Sequence, residues 1–273
     1  MVSALTTRLF VISPYQYGNM KKKINSKMLQ ELSTLRESRN FIKILNYNFL
    51  MNFYENCRII HYFPAQGIES KDFVRIAYRH YLVSLVSCWE TFFRDMFVCT
   101  HELDEEFIDK IIKNFNLNRT DIEHADFKLS ETLSTCFNFQ NIKEIESAYR
   151  IMWGSDFFNF LCTEKTNVIG MCGKFTRDFS VCGLFHDWRE VIDKTFKERH
   201  RIVHDANYRP VLNVKYIQHA EALFLLIPQL VAYFVIKRFG LKHFALCSGE
   251  IAAPMVFTMQ DILADDWAVV EPT

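Results

Sequence analysis

Glycine and proline are scarce in this chain of 273 residues, with 8 glycines and 6 prolines. A β-sandwich of this length needs turn residues every ten positions or so, and they are not there. No surplus of either charge exists, since Lys and Arg number 32 and so do Asp and Glu. A dedicated duplex-DNA binder carries a basic excess or stripe, so any nucleic-acid contact must come from a local patch. The eight cysteines form no C-x-x-C pair, which removes the usual support for a zinc ribbon or a thioredoxin-like site. The first fifteen residues, MVSALTTRLFVISPY, hold no sustained apolar run or cleavage site, so a secretory signal is not expected. Reduced thiols and the lack of a leader point to the cytoplasm. The longest apolar run, Ala222 to Ile236, is fifteen residues and contains Pro228 and Gln229. A membrane span needs about 20 apolar residues, so this run reads as a buried core helix and no membrane partner is expected.

Apolar residues are plentiful at 49%, and phenylalanine alone occurs 26 times. Their spacing is helical. Met28, Leu29, Leu32 and Leu35 predict a helix after Ser26, and Ile42, Leu45, Phe49 and Phe53 predict another after a break near Ser38-Arg39-Asn40. Phe73, Ala77, Tyr81, Leu85, Trp89, Phe92 and Met96 step by threes and fours, which predicts a long helix over about 71–100. Asp104 suits the cap of a short helix ending near Phe115, and Asn141 with Glu144 suits a capping box. From 155 to 184 the periodicity fades among three cysteines and scattered aromatics, so an irregular insertion is expected. Gly170-Met-Cys-Gly-Lys174 lies within it but lacks the spacing of a phosphate loop, because Val168 occupies the first glycine position. Helices over about 186–204 and 213–239 follow, the second ending at Gly240. The expected fold class is therefore all-α, a helical bundle. Its expected parts are an N-terminal helical region (1–69), a main domain (70–240) and a C-terminal extension (241–273).

The stretch ERHRIVHDANYRP, residues 198–210, gathers three arginines and two histidines. Basic residues at a helix C-terminus complement its partial negative charge, which is the ordinary reason for such a cluster. An arginine followed by histidine at five to seven positions also occurs at Arg75/His80, Arg94/His101, Arg119/His124 and Arg238/His243, so spacing alone is not selective. Position is more selective. Arg199 falls on the apolar stripe formed by Ile192, Phe196 and Val203, where a guanidinium must snorkel or find an acceptor. His204 lies about 140° around the helix, at its end. His200 and His204 share a face, as two metal ligands would, but Arg201 stands where a zinc-protease motif needs glutamate. An anion is the better partner, and no metal or other cofactor is expected.

The text Arg199-His200-Arg201-Ile202-Val203-His204 resembles the signature of the HEPN superfamily, specifically its RiboL-PSP-HEPN branch. That signature is an arginine, a polar residue, and a short run closing in Ile-Val-His and a polar turn. Tyr81 to Phe97 is similar to the early helix of that family, with an aromatic residue followed by Glu90. The resemblance covers roughly 70–240, with dense motif support only at 199–204. It implies a dimeric, metal-independent endoribonuclease in which Arg199 and His204 of two subunits line one cleft. Supporting roles fall on His200, Glu90, Asp205 and Asn207, and RNA contacts on Arg201 and Arg209. A toxin or antiviral-defence effector, with an antitoxin or regulatory partner protein, fits that class. The alternative is a non-catalytic module that binds nucleic acid or a partner. Ala206 occupies the place where some HEPN toxins carry a modifiable tyrosine, and Tyr208 lies two residues further on.

Overall fold

Leu45, Phe49, Phe53, Cys57 and Ile60 are all buried and recur every third or fourth residue, so 42–65 closes into one amphipathic helix, α1 (Ile42–Ala65). The computed structural model describes residues 27–28, 42–65, 71–123, 127–153, 156–169, 176–240 and 256–263. Most of the helix expected after Ser26, the break at 38–40 and the glycines at 170 and 173 lie outside the described residues.

The aromatic stripe over 71–100 forms α2 (Lys71–Leu103). Tyr81, Leu85, Trp89, Phe92 and Met96 are buried as the spacing predicts, whereas Phe73 and Ile76 at its start are exposed. Four short helices follow: α3 (Glu105–Asn114), α4 (Arg119–Ile122), α5 (Leu129–Ser134) and α6 (Ile142–Trp153). The Asp104 carboxylate accepts the Glu106 amide at 3.0 Å and starts α3, and the Asn141 side chain accepts the Lys143 amide at 2.9 Å and starts α6.

The described residues of the segment 155–184, expected to be irregular, are largely regular. They comprise α7 (Phe157–Thr163), an antiparallel hairpin of β1 (Thr166–Ile169) and β2 (Thr176–Phe179), and α8 (Val181–Leu184). Thr166 pairs with Phe179 and Ile169 with Thr176. Phe157, Phe158, Leu161 and Cys162 bury their side chains, so α7 is part of the bundle core. Among the described residues the structure is thus a helical bundle with one small two-stranded sheet.

Two long helices complete the bundle, α9 (Trp188–His204) and α10 (Val214–Arg238), followed by α11 (Met259–Ile262). Helix α2 is the hub and packs against α1, α5, α9 and α10. Trp89, fully buried, meets Phe93, Phe158, Phe196 and Phe224, with ring centroids between 4.7 and 6.2 Å. One indole therefore ties α7, α9 and α10 to α2.

Helix α10 is long and apolar enough to cross a membrane, but 72% of its most apolar stretch is buried inside the protein, which suits a core helix. It ends as expected: Gly240 takes φ +59°, a left-handed conformation that costs glycine little. Gln229, 2% exposed, exchanges two hydrogen bonds with the Phe257 backbone, at 2.8 and 3.0 Å. Val256, Phe257 and Ile262 are buried, so residues 256–263 of the C-terminal extension pack on the bundle.

A second buried polar contact joins α1 to the hub. Glu221 on α10 accepts from the Tyr81 hydroxyl and meets His61 Nε2 at 2.9 Å. Burial and this carboxylate hold the Tyr81 phenol well above its ordinary pKa, so it stays protonated and can donate.

Candidate functional site

The buried face of α9 carries Trp188, Val191, Ile192, Thr195 and Phe196. Arg199 and Ile202 extend it, both half-buried, and Ile202 packs on the core. Val203 does not continue the stripe: it is 47% exposed, whereas its neighbour Ile202 packs on the core. Among the residues of this face, Arg199 is the one charged side chain. Its Nε is buried and, among the described residues, makes no hydrogen bond. A buried guanidinium nitrogen without an acceptor is costly, and an anion arriving from solvent would satisfy it.

His204 is the final residue of α9 and is exposed. Its ring lies 4.5 Å from that of His200, tilted by 50°. The two imidazoles therefore present one nitrogen-rich edge to solvent. On an ideal helix Arg199 and His204 point about 140° apart, and no direct contact joins them here.

The turn after His204 is held by a compact set of bonds. Asp205 donates its backbone N–H to the Arg201 carbonyl, and its carboxylate accepts the Asn207 amide at 2.9 Å. Asn207 thus contributes through its backbone. Arg209 donates to the carbonyls of Ala206 at 2.7 Å and Tyr208 at 3.1 Å, which commits one of its nitrogens to the turn rather than to a ligand. Arg201 stacks on the Tyr208 ring at 3.8 Å, and the Tyr208 hydroxyl donates to Glu198 at 2.6 Å. Tyr208 was not singled out by the sequence motif, yet it fastens the turn back onto α9. Burial and the bond to Glu198 both raise its phenol above the ordinary value, so it remains a donor.

Glu90 stands apart from this end of α9 in its bonding. It pairs with Arg94 at 2.7 Å and accepts from the Gln140 amide. Gln140 lines a groove of about 700 Å³ that also reaches His200 and Arg201. Asn138, Asn141, Lys194 and Lys197 line the same groove, and none of them belongs to the 198–210 stretch. Lys194 sits 4.2 Å from the Tyr216 ring, whose phenol burial pushes up to about 12. Among the described residues, no three or more His, Cys, Asp and Glu side chains converge as metal ligands.

The sequence matches the RiboL-PSP-HEPN family over residues 51–237, from the middle of α1 to the penultimate residue of α10. The chain belongs to that family. HEPN domains are helical bundles and include ribonucleases, so membership accounts for the fold and suggests a nuclease or RNA-binding role. The matched range takes in the hub helix α2, the hairpin insertion and the whole 198–210 stretch. It begins 19 residues before the boundary expected from the resemblance alone, within α1, both halves of which bury residues in the same core. No curated protein and no solved structure matches this HEPN chain.

Proposed function

We propose that this HEPN protein is a metal-independent endoribonuclease acting as a homodimer, with Arg199 and His204 of both protomers around one RNA phosphate. The observation that carries this reading is the state of Arg199: a guanidinium set into the apolar face of α9, its Nε buried with no acceptor among the described residues. In this role it grips the scissile phosphate and stabilises the charge that grows on it in the transition state. His204, at the exposed end of the same helix, removes the proton from the ribose 2′-hydroxyl. The 2′-oxygen then attacks phosphorus, the bond to the 5′-oxygen breaks, and the leaving oxygen takes a proton from a second imidazole. His204 of the other protomer suits that task, and His200 orients the pair.

Two copies answer the geometry. A single helix separates Arg199 and His204 by about 140°, whereas a two-fold axis lets one protomer's arginine meet the other's histidine. Val203, Val211 and Val214 are exposed around the end of α9 and the start of α10, an apolar rim suited to burial against the second copy. Balanced charge favours a restricted RNA target or a partner that delivers it. A cytoplasmic toxin or antiviral-defence effector held by an antitoxin-like partner fits those terms.

Incubation with single-stranded RNA in excess EDTA tests the chemistry. The expected fragments end in a 2′,3′-cyclic phosphate and begin with a 5′-hydroxyl, and a 2′-deoxy substitution at the cleaved position blocks the cut. Fragments bearing 5′-phosphates, or activity lost to EDTA and restored by a divalent ion, would refute the mechanism. RNA that is bound but never cut would favour the non-catalytic module instead.

A further inference from the structure

The groove beside α9 is also lined by Asn138, Gln140 and Asn141, and the hydrogen bonds of that turn fix which of their side-chain groups are already used. Asn138 Oδ1 accepts the Gln140 amide at 3.0 Å, and Asn141 Oδ1 accepts the Lys143 amide at 2.9 Å. Each side-chain carbonyl is therefore committed to the backbone, and each NH₂ group is left as a donor. Gln140 is the reverse case: its NH₂ group donates to Glu90, which leaves its carbonyl oxygen as an acceptor. The turn thus offers two donors and one acceptor.

The charges around the groove do not select a ligand. Lys194, Lys197 and Arg201 are offset by Glu190, Asp193 and Glu198. Selectivity must then rest on hydrogen bonds. About 700 Å³ is within the range of small-ligand sites. His200 lines one end and its ring adjoins that of His204, so the groove runs directly to the proposed cleavage position.

We propose that this groove is a base-reading subsite for a nucleotide flanking the scissile phosphate, and that it favours uracil. The placement next to the cut rests on the ribonuclease reading above. The Watson–Crick edge of uracil carries two keto oxygens around one N–H, which complements two donors and an acceptor. Cytosine replaces one keto oxygen with an exocyclic amine, and adenine presents an amine with ring nitrogens. Either would set a donor against a donor.

The test uses full-length His204→Ala protein, which does not consume the RNA, and fluorescein-labelled hexamers of uridine and cytidine. Uridine hexamer is expected to bind at least about five-fold more tightly, the lower end of what one good base contact gives. The double variant Asn138→Asp/Asn141→Asp keeps both oxygens that accept backbone amides but turns each free donor into an acceptor. Asp serves as well as Asn both at the helix start capped by residue 141 and in the Asx turn at residue 138, so the variant's melting temperature should match the parent. The uridine preference is expected to vanish in it. If the double variant misfolds, Asn141→Asp alone, favoured at a helix start, should reduce the preference. Equal binding of the two hexamers, no binding of either, or an unchanged preference in the folded variants would overturn the proposal. A retained uridine preference in a protein that never cuts RNA would instead count against the ribonuclease reading and leave the groove's selectivity standing.

Discussion

Arg199→Ala is expected to lower kcat/KM for RNA cleavage by about 10²–10³, the range seen when a transition-state donor to a developing anion is removed. The melting temperature is expected to stay level or rise. Arg199 Nε makes no hydrogen bond among the described residues, so deletion orphans no partner there and removes a buried polar atom. Arg199→Lys should fail to restore activity, since an ammonium lacks the planar fork that spans two phosphate oxygens. Parallel kinetics and thermal melts of the three proteins check this. Alanine retaining the wild-type rate would remove Arg199 from the site.

The largest expected effect on stability is at the hub. Trp89→Ala should cost about 3–5 kcal/mol, because a fully buried indole leaves a cavity its neighbours only partly fill. Its contact with Phe196 is three residues before Arg199, so the same change loosens the helix that presents the site. Trp89→Phe should cost much less. The Trp89 Nε1 is buried with no hydrogen-bond partner among the described residues, so phenylalanine gives up packing volume but no bond there. Chemical denaturation of both variants measures the difference, and an alanine variant within 1 kcal/mol of wild type would contradict the role given to Trp89.

The long helices were legible because each buries a stripe that repeats over many turns. Tyr81 through Met96 suffices to define α2, and the polar caps Asp104 and Asn141 lie where the sequence expects them. The segment 155–184 was not legible for a matching reason. FFNFLCT, the seven residues of α7, is too short for a helical period to emerge. TNVI and TRDF are too short to alternate convincingly as strands. What fixes α7 is packing against α6 and α10, which no local window contains.

At the site, the placement of Arg199 in an apolar face could be read from Ile192 and Phe196. Val203 could not, because in the last turn of α9 it is the adjacent apolar residue, Ile202, that packs on the core. The groove was invisible for a different reason. Asn138, Gln140 and Asn141 lie some fifty residues before α9, and amides carry no spacing signature. Only Asn141 left a trace, as a helix cap. The bonds of Arg209 to the carbonyls of its own turn likewise depend on backbone geometry that the letters do not encode.

Cleavage of one structured RNA by wild-type protein and His204→Ala, side by side in EDTA, tests the central claim most directly. The histidine at the end of α9 is expected to supply about 10²–10⁴ in rate, so the variant should leave the RNA essentially intact while wild type cuts it. Equal cleavage by the two proteins would contradict the account.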